Sequence, residues 1–213
     1  MSALEAALRA IAAELERQRV PWALVGGLAV TARAEPRTTR DVDVAISVPD
    51  DAESERLVFQ LSSSGWDVVA TVEQGATGRL ATVRLRPPLE RRTHGVVVDL
   101  LFASSGIEPE VAGMAESLEI LPGLVVPVAT LGHLVALKVL ARDDRTRPRD
   151  AEDLRALLTE AGPADVASAR AALALVTARG FHRGKDLEGE LERALPSACR
   201  SSKPVCAPWS VGA

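Results

Sequence analysis

The chain has 213 residues, 47% of them hydrophobic, and carries 25 Lys and Arg against 29 Asp and Glu for a formal net charge of −4. The length allows a full hydrophobic core, and the acidic balance disfavours a broad nucleic-acid surface. No apolar run nears the roughly 20 residues that cross a bilayer, and the N-terminus lacks the pattern of an export signal. The two cysteines, Cys199 and Cys206, make neither a disulfide framework nor a zinc site. We therefore expect a cytoplasmic protein without a membrane partner.

Patterns of helix and strand alternate over the first 128 residues. Leu4, Leu8, Ile11 and Leu15 recur at helical spacing, whereas residues 41–48 alternate like a half-buried strand. The predicted helices cover residues 2–19, 28–34 and 51–63, and the predicted strands cover 22–25, 41–48, 66–72, 80–86 and 95–102, with a further β-like segment at 118–128. These patterns indicate an α/β sheet domain over residues 1–128.

From Thr130 onward only helical patterns follow. The predicted helices cover residues 131–142, 151–161, 164–178 and 185–194. Thr130 and Asp150 have side chains suited to cap the first two of these helices. We therefore expect a helical region over residues 129–195, followed by a disordered tail at 196–213, which is small and polar.

Two carboxylates, Asp41 and Asp43, stand two residues apart on a predicted strand. Side chains alternate between the faces of a strand, so both project from one face while Val42 and Val44 enter the core. Paired carboxylates repel each other unless a cation compensates their charge. Mg²⁺ commonly binds one or two carboxylates together with substrate phosphates, so the pair predicts a metal site.

Upstream, Gly26 and Gly27 end the predicted strand at residues 22–25. Without side chains they let the backbone approach a ligand closely, and their N–H groups can face phosphate oxygens. A helix beginning just after them would favour the same anion through its dipole. We therefore predict a phosphate-binding turn at these glycines.

Further along, Asp99 is the single charge within the apolar strand at residues 95–102. A lone buried carboxylate is costly unless it is paired or binds a metal. It could complete a three-carboxylate metal site with Asp41 and Asp43, or it could form an ion pair with Arg84 or Arg86 on a neighbouring strand. We favour the metal site.

Taken together, Gly26-Gly27, Asp41-Val42-Asp43 and the later Asp99 resemble the nucleotidyltransferase superfamily that includes DNA polymerase β. The wider stretch from Val25 to Asp43 looks most like its minimal bacterial branch, which includes the AbiEii/AbiGii-type abortive-infection toxins. Lys138 and the sequence Asp150-x-x-Asp153-Leu154 look like later motifs of those toxins, so the resemblance covers about residues 22–158. It implies a nucleotidyltransferase-like mixed β-sheet flanked by helices, with a C-terminal helical extension.

The resemblance also implies a chemistry. An NTP would donate its nucleoside monophosphate to an acceptor hydroxyl on RNA, a protein or a small molecule, with two Mg²⁺ ions (or Mn²⁺) held by Asp41, Asp43 and Asp99. Asp99 would also be the base toward that hydroxyl, and Gly26 and Gly27 would hold the triphosphate. A cognate antitoxin would be a further partner if the chain is the toxin of a toxin–antitoxin system. Two departures from the family pattern are Gly27, where many members carry serine, and Arg149, where toxin members often carry lysine.

Other candidate residues have two readings each. Arg37 and Thr39 could contact phosphate or shape their loop, and we assign both to the nucleotide site. Lys138 could contact phosphate or extend its amine to solvent along a helix face, and we also assign it to the nucleotide. Asp150 and Asp153 fit an N-cap and a favourable charge in the first helical turn.

Two other functions remain open on the sequence. An aminoglycoside-type small-molecule adenylyltransferase would share the core but needs several acidic residues to meet a polycation, and the C-terminal helices carry few. A non-catalytic member of the fold, acting as a binding or antitoxin subunit, would not be expected to retain all three aspartates.

Overall fold

A computed structural model describes residues 2–36, 38–75, 77–88, 95–143 and 148–195. The predicted tail at 196–213, with Cys199 and Cys206, lies outside the described residues, and so does Arg37.

Eight helices and seven strands are assigned within the described ranges. The helices are α1 Ala3–Gln18, α2 Gly26–Arg33, α3 Asp51–Ser63, α4 Glu108–Gly113, α5 Leu131–Ala141, α6 Pro148–Glu160, α7 Pro163–Ala178 and α8 Leu187–Ala194. The strands are β1 Trp22–Val25, β2 Asp41–Ile46, β3 Asp67–Glu73, β4 Leu80–Arg86, β5 Val97–Leu101, β6 Glu116–Leu121 and β7 Leu124–Val128.

The strands form one mixed sheet in the order β3-β4-β5-β2-β1-β7-β6. Strand β2 runs parallel to β5 and β1 runs parallel to β7, while the remaining neighbours are antiparallel. At one edge, all seven residues of β3 are exposed. The predicted α/β class, a mixed sheet flanked by helices, is confirmed.

Side-chain alternation fixes the two faces of the central strands. Val42 and Val44 are fully buried, on the face where α1 and α4 pack against β2. Helix α1 begins where the Ser2 hydroxyl accepts a hydrogen bond from the Glu5 N–H, and it buries the apolar stripe that includes Leu8 and Ile11. The opposite face of β2 therefore carries the polar side chains of the strand.

The C-terminal helices share the hydrophobic core of the sheet. One buried cluster runs from Ala7 in α1 to Leu195 beyond α8. Helix α2 contacts both α5 and α6, and Arg33 at its end donates hydrogen bonds to the carbonyls of Val128 and Ala129. These contacts hold α5 and α6 beside the polar face of β2.

Three local predictions differ from the structure. Helix α2 begins at Gly26 rather than at residue 28, so the glycines form its first turn. Helix α4 was not predicted, because six residues give too little periodicity. The predicted N-cap role of Asp150 is wrong, because α6 begins at Pro148 and Asp150 lies inside its first turn. Thr130, in contrast, caps α5 as predicted, accepting a hydrogen bond from the His133 N–H.

Among the described residues, none of the helices is long and apolar enough to cross a membrane.

Candidate active site

The candidate site is built on one row of residues across four strands. Val25 on β1 pairs with Asp43 on β2, and Asp43 pairs with Asp99 on β5. Asp99 in turn pairs with Arg84 on β4. Residues directly opposite on neighbouring strands project from the same face, so Asp43, Asp99 and Arg84 lie side by side, and Asp41 lies two residues along β2.

Asp43 is enclosed by the start of α2. A Cβ atom added to Gly26 would lie 1.9 Å from Asp43 Oδ2, and Gly26 has a left-handed backbone with φ of +63°. The Gly27 N–H lies near the Asp43 carboxylate and lowers its pKa. Only glycine at position 26 therefore lets the chain turn this close to the carboxylate.

The pKa of the Asp43 carboxyl is raised to about 6. Burial is the main cause, and the nearby negative charges of Asp99 and Asp41 add to it. Lys138 and the Gly27 N–H act in the opposite direction and lower the pKa. Desolvation and like charges both disfavour the ionised form. Ionised Asp43 therefore needs more positive charge than the surrounding side chains supply.

Asp99 is paired with a guanidinium. Arg84 Nε donates to Asp99 Oδ1 at 2.8 Å, and a terminal nitrogen of Arg84 donates to Asp99 Oδ2 at 2.7 Å. This two-pronged contact raises the pKa of Arg84 above its usual value and engages both carboxylate oxygens. Of the two arginines that could have paired with Asp99, the register selects Arg84.

The carboxylates fit a divalent cation by their chemistry. Oxygen donors on one face are the ligands that Mg²⁺ prefers, the raised pKa of Asp43 marks a deficit of positive charge, and Arg84 already places a cation on Asp99. However, within the described ranges no group of three or more Asp, Glu, His or Cys side chains is arranged to hold a metal ion. The three-carboxylate metal site stays a prediction.

Lys138 lies on α5 and does not extend to solvent. Its amine is 2.8 Å from an Asp150 oxygen and 2.7 Å from an Asp153 oxygen, and its side chain is 12% exposed. Asp150 and Asp153, interpreted from the sequence as helix-terminal residues, instead hold this amine. Because Lys138 also lowers the pKa of Asp43, its positive charge acts on Asp41, Asp43 and Asp99, which we call the carboxylate row.

A cavity of about 1210 Å³ opens over the carboxylate row. The predicted residues Gly26, Gly27, Thr39, Asp41, Asp43, Asp99 and Lys138 all line it. Thr39 also donates a hydrogen bond to the Asp41 carbonyl at 3.4 Å, and Arg37 lies outside the described residues. The structure thus brings seven of the eight predicted site residues to one cavity.

Several lining residues were not assigned to the site from the sequence. Arg40, Arg149, Ser104, Ser105 and Arg183 belong to this group. Arg40 and Arg149 adjoin motif residues and could have been included on that ground. Ser104, Ser105 and Arg183 sit in connections of irregular structure and reach the cavity only through the fold, so no sequence pattern marked them.

Replacing Gly26 with alanine should destabilise the protein more than the same change at Gly123. Both glycines have left-handed backbones, with φ of +63° and +69°, but a Cβ at Gly123 meets nothing within 4 Å. The backbone strain, about 1–2 kcal/mol, is common to both variants. Urea denaturation should give Gly26→Ala the larger loss by at least about 1 kcal/mol, from the clash with Asp43. Equal losses would show that Asp43 moves aside freely.

Replacing Asp43 with asparagine should stabilise the metal-free protein in a pH-dependent way. The folded-state pKa of Asp43, about 6, lies above the usual value of 3.8, so folding loses stability as pH rises between these values. The gain of Asp43→Asn over wild type, measured by denaturation in EDTA, should grow from pH 4 to pH 7 and reach at most about 3 kcal/mol. Asp67→Asn, the same change on exposed β3, is the control. A gain that is constant with pH would contradict the prediction.

Two solved structures of ANT(2'')-Ia share this fold. The structure of ANT(2'')-Ia in complex with adenylyl-2''-tobramycin is 16% identical over 82% of this chain and 97% of that one, with a TM-score of 0.52. The solution structure of antibiotic-resistance factor ANT(2'')-Ia is 17% identical over 81% of this chain and 90% of that one, with a TM-score of 0.50. An antigenic nucleotidyltransferase-like protein from Paracoccidioides brasiliensis is 20% identical over 90% and 93%, with a TM-score of 0.49. At these identities the likeness to the two ANT(2'')-Ia structures concerns the fold alone. No curated protein sequence matches the chain.

A family profile matches the sequence itself. The family is described as nucleotidyl transferase AbiEii toxin, type IV TA system, and its profile matches residues 6–200. That range contains the glycine turn, the carboxylate row and the Lys138 cluster, and the match confirms the resemblance drawn from the motifs. The chain therefore belongs to the AbiEii family of nucleotidyltransferase toxins.

Proposed function

We propose that this enzyme transfers a nucleoside monophosphate from an NTP to an acceptor hydroxyl, with Asp41, Asp43 and Asp99 holding divalent metal, Mg²⁺ in the first place and Mn²⁺ as a substitute. The observation that carries the proposal is the position of the carboxylate row. Asp43 and Asp99 are direct neighbours on one sheet face, beside the glycine start of α2 and open to the cavity.

In the proposed reaction, the acceptor oxygen bonds to the α-phosphorus and the bond from that phosphorus to the bridging oxygen breaks, releasing pyrophosphate. Divalent ions held by Asp41, Asp43 and Asp99 would supply positive charge to the phosphates and to the carboxylates. Asp99 takes the proton of the acceptor hydroxyl. Backbone N–H groups at Gly26 and Gly27, at the N-terminus of α2, bind phosphate oxygens.

Lys138 is proposed to contribute a further phosphate contact. Its two aspartate partners hold the amine in place, so little conformational freedom is lost when a phosphate binds. In this proposal residues 1–128 provide the carboxylates, the glycine turn and the nucleotide contacts of Arg37 and Thr39, and residues 129–195 provide Lys138.

We favour RNA or protein as the acceptor over a polycationic small molecule. Among the described residues that line the cavity, the cations are Arg40, Arg84, Lys138, Arg149 and Arg183, and the carboxylates are Asp41, Asp43, Glu73, Asp99 and Asp150. Asp150 is paired with Lys138, and three others belong to the proposed metal site. That leaves Glu73 to meet a polycation, which is too little negative charge for an aminoglycoside.

Label transfer tests the proposed reaction. With each α-³²P-labelled NTP, Mg²⁺ and an acceptor mixture of total tRNA or total protein, the wild type should transfer label and release pyrophosphate. Asp43→Asn should lose at least about 100-fold in rate, because one oxygen donor and one charge are removed from the metal site. Asp67→Asn, on exposed β3 outside the cavity, should retain the rate.

The arms of this experiment separate the alternatives. Label appearing on an aminoglycoside and on neither macromolecule would replace the acceptor proposal with the small-molecule one. A transfer rate unchanged in Asp43→Asn would remove the carboxylate row from the chemistry.

Membership in a toxin family supports a toxin role, which growth can test. Induced expression of the wild type in a bacterial host should arrest growth, and Asp43→Asn should not, at equal levels of soluble protein. Arrest by both variants would mean that toxicity does not depend on the proposed chemistry.

A further inference from the structure

We propose that Arg84 is a positioning residue that occupies the Asp99 carboxylate where the metal would otherwise bind. Arg84 must release Asp99 before that carboxylate can bind a metal together with Asp41 and Asp43. This inference rests on the proposed function. It assigns to Arg84 control over metal binding, through competition for a shared carboxylate.

The first support is the geometry of the ion pair. Both Asp99 oxygens accept hydrogen bonds from Arg84, at 2.8 and 2.7 Å. A guanidinium and a carboxylate matched in this way form one of the stronger polar contacts in proteins. A dication approaching Asp99 would meet both the occupied oxygens and the repulsion of the guanidinium charge.

The second support is the arrangement of the three carboxylates. Asp43 and Asp99 are register neighbours on one face, yet no metal-holding group of acidic, His or Cys side chains is found in the part of the chain that the structure describes. Arg84 lies on the β4 side of Asp99 and Asp43 lies on the β2 side, so Arg84 engages both oxygens of Asp99 from the side opposite Asp43. Release from Arg84 is therefore the step that would complete the set.

The third support is an asymmetry in exposure. The Arg84 side chain is 45% exposed, whereas that of Asp99 is 11% exposed. A half-exposed arginine can turn into solvent or toward an anion in the cavity once a metal replaces it as the partner of Asp99, whereas Asp99 cannot leave the sheet. Arg84 is thus the mobile partner, and it lines the same cavity as the proposed phosphate contacts.

Direct metal titration tests the inference without any turnover. Mn²⁺ binding should be measured by electron paramagnetic resonance or calorimetry in the absence of nucleotide, for wild type, Arg84→Gln and Arg86→Gln. Arg86 is the matched control because it lies two residues along β4, on the same face and exposed. We expect Arg84→Gln to bind Mn²⁺ at least about tenfold more tightly than wild type, and Arg86→Gln to match wild type within about twofold.

A second variant guards against a loss of folding in Arg84→Gln, which leaves the Asp99 charge without its partner. Arg84→Lys keeps a positive charge but loses the two-pronged contact, and it should show a smaller gain in Mn²⁺ affinity. Thermal melting adds an independent readout, because Mn²⁺ should raise the Tm of Arg84→Gln by more than it raises that of wild type.

The outcomes separate this inference from the proposed function. Equal or weaker Mn²⁺ binding by Arg84→Gln and Arg84→Lys, with binding to wild type abolished by Asp43→Asn, would overturn the role of Arg84 and leave the metal site standing. An absence of Mn²⁺ binding in wild type and in both Arg84 variants, with and without ATP, would overturn both.

Discussion

The structure depends on how neighbouring negative charges are accommodated on one face of a buried sheet. Asp43 and Asp99 sit directly opposite each other on adjacent strands, with Asp41 close by. Repulsion between such groups is strong where water is largely excluded. Three kinds of positive compensation surround them: the guanidinium of Arg84, the amine of Lys138 and the Gly27 N–H at the start of α2. This compensation is incomplete at Asp43, whose pKa is raised to about 6.

The compensating groups come from parts of the chain that are far apart in sequence. Arg84 reaches the row through the antiparallel pairing of β4 with β5, and Lys138 reaches it because α5 packs beside α2. Lys138 is itself balanced by two aspartates of α6. The C-terminal helices are therefore tied to the electrostatics of the sheet as well as to its hydrophobic core, and a displacement of α6 would change the charge balance at Asp43.

Much of this arrangement could be predicted from the sequence, because it follows from short-range rules. Alternation along β2 placed Asp41 and Asp43 on one face, and an apolar strand with a single charge singled out Asp99. The partner of Asp99 could not be chosen between Arg84 and Arg86, because the two share a strand face and only the register separates them. The partners of Lys138 were missed because Asp150 also suited a helix cap. Pro148 at the first helical position was the available sign that α6 begins three residues before the predicted start at residue 151.

The exposed edge strand β3 has a consequence for self-association. An unpaired edge carrying Val68, Val69 and Val72, all partly exposed, invites pairing with another strand. An antiparallel second copy centred on Ala70 would place Asp67 of each chain opposite Glu73 of the other. Like charges directly opposite each other destabilise a strand pair, so the two ends of β3 oppose the association that its middle favours. Asp67 and Glu73, which take no part in the proposed chemistry, therefore disfavour antiparallel pairing of β3 with a second copy.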